Sequence, residues 1–388
     1  MQWSAALAQW LESRWVTPAF SGWVLAGIAV CFFGAATNTM AGWLYVLSGT
    51  MFAMLGLGAI LPWRSLRQIE IRRLPITPIS AGDTLTVELE VANVGHAAKT
   101  LLQLQDLLPY ILAQTALTAV EAIAPDNVHR WTYYINVNRR GVYRWHEVQL
   151  RTGTPLGLFW CRRTQEVPAK AIVYPQVLPL ANCPLVDSLG KDESIKFQSD
   201  RRYQAATEGV TRALRPYRYG DPTRLIHWRV SARYDEFVVR ELDTITGGQD
   251  VIIALDSASQ WQEESFEQAV IAAASLYFYA SRCQFEVKLW TAATGLIRGN
   301  RVVLETLAAI AAQEEATANV YPALPLIWLT QNSSTLDSLP SSSRWIFFPA
   351  SSSGDGQTKP KSNFLGLVIN SEQPLQTQLQ KPLTILNA

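Results

Sequence analysis

The chain has 388 residues, with 33 basic and 32 acidic side chains. That length suffices for two or three domains with cores of their own, so stabilisation by disulfides or metals is not required. The near-cancelling charge excludes the global field of a general nucleic-acid binder and leaves any electrostatic function to local clusters.

The first predicted element is a membrane anchor over 1–66. From Trp15 to Trp63 there is no charged side chain, and Thr37-Asn38-Thr39 divides this run into two apolar segments. Each is about 20 residues, enough to cross a bilayer. A charged group in hydrocarbon costs about 3 kcal/mol even on a lenient scale, so its absence over such a length carries information. Trp15, Trp23, Trp43 and Trp63 fall near segment ends, where amphipathic rings favour the interface. Arg64, Arg67, Arg72 and Arg73 follow the second segment while the connecting turn is uncharged, which predicts a cytoplasmic remainder held at an inner or plasma membrane. The stretch from Trp3 to Trp15 is amphipathic and is expected on the membrane surface. The competing readings are a helical hairpin inside a soluble protein, which would carry a polar stripe, and a signal peptide before one anchor, which would begin with a basic stretch.

Residues 67–180 are predicted to form a β-sandwich-like domain. The stretches "TLTVELEVANV", "HRWTYYINVN" and "HEVQLRT" alternate apolar and polar residues. Gly82-Asp83 is a turn before the first long strand. "LQDLLPYILA" breaks the alternation, and Pro109 argues for a loop there rather than a helix. Residues 181–208 turn polar and are expected to be a linker or arm.

Beyond 250 the pattern changes to strands separated by helices. "DVIIALD", "FEVKLWTA", "PLIWLT", "RWIFF" and "FLGLVI" are predicted strands, and Glu263–Arg282 and "RVVLETLAAIAAQEE" predicted helices, which makes 244–388 a doubly wound α/β domain. "SSSGDGQTKPKSN" is expected to be a flexible loop. Cys31, Cys161, Cys183 and Cys283 have neither zinc-site nor redox-motif spacing, which fits a reducing compartment. His96, His129, His146 and His227 form no metal or catalytic cluster.

Between the two soluble parts lies "GVTRALRPYRYGDPTRLIHWRVSARYDEFVVRELD", residues 209–243. Gly220-Asp221-Pro222 is a turn. Residues 201–240 hold nine arginines, no lysine and four carboxylates, a bias expected where carboxylate or phosphate is gripped by two parallel hydrogen bonds. Three readings fit: a structural clamp in which Asp221 pairs with Arg224 or Arg233 and Trp228 packs on guanidinium groups, a docking surface for a protein partner, or a site for anionic lipid or nucleic acid.

This stretch resembles the signature of the bacterial family known as domain of unknown function 58, through Leu214, Arg215, Tyr217, Gly220, Asp221, Arg224, Ile226, Trp228, Ser231, Ala232, Arg233 and Val239. "GVYRWHEVQLRTGTPLGLFW" resembles the end of the family's β domain. The resemblance implies a paired membrane anchor, a β domain, this signature and a von Willebrand factor A-like domain. It further implies association with a MoxR-type AAA ATPase and an accessory role in assembling or activating proteins, often at the cell envelope. In metal-binding A domains the first strand ends in Asp-x-Ser-x-Ser, whose oxygens hold Mg²⁺. Here Ala258 and Gln260 occupy the hydroxyl positions after Asp256, Ser257 and Ser259 fall one residue out of register, and a further hydroxyl would come from Thr291 or Thr294. Asp256 is therefore at most a degenerate metal site, expected instead to cap the next helix or bind the linker arginines, and no cofactor is required.

There is no phosphate loop, nucleophile elbow or Ser-His-Asp spacing, and Asp221 with His227 is the least implausible acid–base pair. The expected function is a non-enzymatic membrane scaffold that recruits protein partners, with anionic lipid or nucleic-acid binding and a cryptic hydrolase as alternatives.

Overall fold

The computed structural model describes residues 15–113, 115–189, 210–218, 223–234, 236–243, 250–317, 324–340, 342–349 and 365–382, and the chain divides into compact units at Tyr174/Pro175.

The first unit begins with strand β1 (Thr17–Pro18), then helices α1 (Phe20–Thr39) and α2 (Gly42–Ser65). Met40 adopts a left-handed φ of 54° and ends α1. Both helices are long and apolar enough to cross a membrane. Gly22, Ala29 and Ala36 recur every seven positions as the buried residues of α1, with Gly22 against the Leu158 carbonyl of the β unit, and Phe33 of α1 meets Tyr45 of α2 edge-on at 6.0 Å. Phe20, Trp23, Val30, Val46, Leu57 and Ile60 point outward, where the core helix of a water-soluble domain would place polar groups.

The strands that follow form two sheets around one apolar cluster. The smaller is antiparallel, in the order β2 (Ile69–Arg73), β4 (Thr84–Asn93), β7 (Asn127–Asn136). The larger runs β1, β9 (Phe159–Tyr174), β8 (Gly141–Thr152), β5 (Lys99–Asp106), β6 (Ala116–Ile123), with β3 (Ile79–Ser80) pairing parallel to β9. Alternation along β4 buries Leu85, Val87, Leu89 and Val91 against Leu104, Trp131 and Leu150. The Gly82 turn uses φ 97°, a region that glycine enters without steric cost. β5 continues through Asp106, so the loop excursion begins at 107 rather than at Leu104. Asp106 is the reason: fully buried, it receives both terminal nitrogens of Arg73 at 2.6 and 3.1 Å and the Tyr133 hydroxyl at 2.6 Å.

In the second unit, the expected linker over 181–208 is corrected where it is described. A short helix, α3, spans 184–189, and Cys183, Leu185, Val186 and Leu189 are fully buried in the α/β core. Apolar spacing within an otherwise polar stretch gives these residues a core to join. The rest of that segment lies outside the described residues. Next come β10 (Val210–Pro216), a 3₁₀ turn (Thr223–Leu225), α4 (Trp228–Tyr234) and β11 (Val238–Asp243).

The remaining sheet has the order β14 (Gly295–Ile297), β13 (Glu286–Thr291), β12 (Asp250–Leu255), β15 (Leu326–Thr330), β16 (Arg344–Phe347), β17 (Gly366–Val368). All pairs are parallel except β13 with β14. Val251, Ile253 and Leu255 pack on α5 (Glu263–Arg282), while Ile252 and Ala254 face Trp290, Trp328 and Trp345. The next helix, α6 (Asn300–Ala309), stops short of the expected "AAQEE" end because Ile310 turns extended, and Glu314 instead donates its backbone N–H to the carbonyl of Ser257. A final short helix, α7, spans Leu375–Leu379. The expected loop "SSSGDGQTKPKSN" lies outside the described residues.

Candidate functional site

The Arg-rich segment folds as an antiparallel hairpin, β10 with β11, whose connection doubles back on β11. Residues 214, 215 and 216 pair with 240, 239 and 238, and a bulge falls between Thr211 and Ala213. On the other edge of β11, Ile226 bridges Val239 and the His227 N–H donates to the Val238 carbonyl at 2.8 Å. Ser231 completes the clasp: its hydroxyl oxygen accepts the Val238 N–H at 2.9 Å. Ile226, Ser231 and Val239 are buried, so this part of the signature holds the hairpin together.

What the clasp presents is aromatic. The Phe237 ring meets Tyr217 at 6.2 Å and Trp228 at 6.1 Å, both edge-on. Trp228 is 62% exposed and Phe237 57%, and Arg218, Arg229 and Arg233 of the same segment are also exposed. Large aromatic rings and arginines left in water are the composition of binding hot spots.

The structure thus brings together Tyr217, Trp228 and Ser231 from the predicted set. Arg215 is half-buried and donates to the carbonyl of Pro216 at 3.3 Å, and Arg233 lies exposed in the last turn of α4. Gly220 and Asp221, and hence the expected pairing of Asp221 with Arg224 or Arg233, lie outside the described residues, as does the Arg224 side chain. His227 serves the backbone, its Nδ1 accepting the Val230 N–H at 3.3 Å. Phe237, the centre of the aromatic group, was missed by sequence reasoning. Its only signal is a lone aromatic directly before the strand "VVRELD".

A second locus sits at the carboxyl ends of the parallel strands. β12 lies between β13 and β15, so the connections reverse direction beside it, and in open α/β sheets ligands bind at such a switch point. Asp256 stands there. Its Oδ2 accepts the hydroxyls of Ser259 at 2.6 Å and Thr330 at 2.8 Å, and its carbonyl accepts Trp261 Nε1 at 2.6 Å. The expectation that Asp256 caps the next helix is corrected: α5 is entered through Gln262, whose N–H donates to Gln331 Oε1 at 2.8 Å. Ser259 reaches the carboxylate although it is out of register, and Thr330 supplies the second hydroxyl. Thr291 and Thr294 bond each other at 2.7 Å instead.

As a metal site the locus fits poorly. Asp256 is only 5% exposed, leaving no opening for a hydrated Mg²⁺ that keeps several waters. Among the described residues no group of three or more His, Cys, Asp and Glu side chains could hold a metal ion.

Burial pushes the Cys183 thiol up to about 11, and burial together with the Asp106 carboxylate raises Tyr133 well above the usual phenol range.

Comparisons with known proteins place these features. Solved structures of low likeness include the CARDB domain of PF1109 from Pyrococcus furiosus, at 11% identity and a TM-score of 0.20, covering 27% of this chain and 94% of that one. The PapD-like domain 7 of human CEP192 gives 12% identity and 0.21, covering 29% and 89%. The β-glucosidase of Listeria innocua gives 14% and 0.19, covering 27% and 16%. At such scores these likenesses carry no argument about fold or function. The "Uncharacterized protein YeaD" of Bacillus subtilis (strain 168) is 24% identical over 228 residues, 57% of this chain, and the chain spans about half (54%) of that relative's length. The family described as "Protein of unknown function DUF58" matches residues 213–320, from the hairpin through the first half of the parallel sheet. By that match residues 213–320 of the chain are similar to the DUF58 family.

Proposed function

We propose that the chain is a membrane-anchored, non-enzymatic scaffold that holds a docking surface on the cytoplasmic side of an inner or plasma membrane. In this reading the two sheets of the first unit are a β-sandwich, and the parallel sheet of the second is a doubly wound, von Willebrand factor A-like domain. The observation that carries the proposal is the Tyr217–Phe237–Trp228 group, with Phe237 and Trp228 exposed and with exposed Arg218, Arg229 and Arg233 on the same segment, on a hairpin whose backbone is closed by Ser231. Rings exposed on a fixed frame lose little conformational freedom on binding, which favours a protein partner. The partner expected from the resemblance is a MoxR-type AAA ATPase, with assembly or activation of other proteins as the outcome.

Affinity capture of the full-length protein from its own membranes, with and without ATP, tests this. Recovery of the ATPase with the native chain and its loss with a Trp228→Ser variant supports the scaffold. Equal recovery with both overturns the role of the aromatic group. Binding that resists high salt would also argue against the alternative in which these arginines grip anionic lipid or nucleic acid.

A further inference from the structure

At the start of the second unit the chain runs over the last two turns of α5 and is tied to it at three points. The Leu178 N–H donates to the Ser275 hydroxyl at 2.9 Å, the Arg282 guanidinium donates to the Leu180 carbonyl, and the Tyr279 hydroxyl donates to the Asp187 carboxylate at 3.0 Å. Cys183 and Cys283, far apart in sequence, are bracketed by these ties. Cys183 stands one turn before Asp187, whose N–H donates to the Cys183 carbonyl at 2.9 Å. Cys283 follows Arg282 and stands one turn after Tyr279, donating its own N–H to the Tyr279 carbonyl at 3.1 Å.

The electrostatics agree with that placement. Burial and the Asp187 carboxylate raise the Tyr279 phenol above its ordinary range, Cys283 adds to the rise, and the backbone of Cys183 opposes it, so one hydroxyl feels both cysteines. The Cys183 thiol is pushed up by burial first, against the opposing backbone of Leu185 and Val186, with Asp187 and Cys283 adding to the rise. Exposure then separates the two sulfurs. Cys283 is exposed just beyond the end of α5, whereas Cys183 is fully buried in the α/β core. A reagent in water reaches the first directly, and the second is approached from Cys283.

We propose that Cys183 and Cys283 are an oxidisable dithiol, in which Cys283 attacks a small-molecule disulfide and Cys183 resolves the product to an intramolecular disulfide. In the first step the Cys283 thiolate bonds to one sulfur of the reagent as the reagent's S–S bond breaks and one thiolate leaves. In the second the Cys183 sulfur bonds to Cys283 Sγ, the mixed S–S bond breaks, and the departing thiolate takes the Cys183 proton. Each protein sulfur gives up one electron, and the reagent leaves as two thiols. The new bond staples α3 to the end of α5 and closes a loop that contains the whole β10–β11 hairpin, which removes freedom chiefly from the unfolded chain. The site is separate from the aromatic group of the hairpin and does not depend on the scaffold reading.

The test incubates the full-length protein in detergent with excess oxidised glutathione, quenches with acid, and compares its peptides by mass spectrometry with and without reductant. The native chain should yield a Cys183–Cys283 linked peptide at least about tenfold more abundant than Cys283 carrying glutathione, because a neighbouring thiol acts at a high effective concentration. Cys183→Ala should stop at the glutathione adduct of Cys283, and Cys283→Ser should leave Cys183 reduced until the chain is unfolded. The result for the native chain requires no variant, so poor folding of Cys183→Ala leaves the proposal open to refutation. A native chain that stays unmodified, or that stops at the Cys283 adduct with Cys183 reduced, overturns it. So does pairing of Cys283 with Cys31, with Cys161 or with Cys283 of a second chain.

Discussion

Thr330, at the end of β15, donates its hydroxyl to Asp256, at the end of β12, across 74 residues of sequence and 2.8 Å of space. The bond joins the two strands that flank the switch point and leaves the carboxylate with protein partners. Thr330→Val keeps the shape and removes one donor from a buried acid, so protection of the β12 and β15 amides in hydrogen–deuterium exchange should fall by about 1–3 kcal/mol. Addition of millimolar Mg²⁺ should leave the melting temperature of the native chain unchanged. A rise that Asp256→Asn abolishes would show a working metal site.

Arg73, Asp106 and Tyr133 form another buried polar group, with the Arg73 and Asp106 side chains only 4% and 0% exposed. Asp106→Ala strands a buried guanidinium and should destabilise the β unit by about 3–5 kcal/mol. Tyr133→Phe, which loses a bond to a charged acceptor, should cost about 1.5–3 kcal/mol. Because the folded phenol ionises above its unfolded value of about 10, its contribution is complete below that pH and is lost as pH rises beyond it. The native chain should therefore lose stability above about pH 10 more steeply than Tyr133→Phe, as read from melting temperatures.

Gly22 of α1 packs against the carbonyl of Leu158, where a Cβ would collide with backbone, whereas Gly27 on the same helix has nothing within 4 Å of the equivalent position. Gly22→Val should destabilise the join between anchor and β unit by about 1–3 kcal/mol, and Gly27→Val should not. Limited proteolysis in detergent checks this, with faster cleavage around 153–158 expected for the first variant alone.

Cys183 is fully buried and its thiol raised to about 11, whereas Cys283 is exposed. Alkylation at pH 8 should proceed at least about 100-fold more slowly at Cys183.

Much of this architecture is legible in the residues. The apolar helices announce themselves because every position from Trp15 to Trp63 lacks charge, and α5 falls on its expected bounds because Phe266, Ala269, Val270, Ala273 and Leu276 keep a helical period. α3 was hidden because four apolar residues in a polar stretch are too few to set a period. Arg73, expected with the charges beside the membrane, is instead paired inside the β unit, since nothing local marks Asp106 as its partner 33 positions away. The site was half legible. The family resemblance pointed to Arg215, Tyr217, Trp228 and Ser231, but that Ser231 holds backbone and Phe237 joins the rings are relationships created only when β11 folds between β10 and α4.

The most direct test of the scaffold is the affinity of the full-length protein, reconstituted in lipid nanodiscs, for the purified MoxR-type ATPase of the same cell. Trp228 is exposed, so Trp228→Ser should leave the fold intact and weaken binding at least about tenfold, the size expected when a hot-spot aromatic is removed. Equal affinity of the native and Trp228→Ser proteins, or no binding by either, would contradict the account.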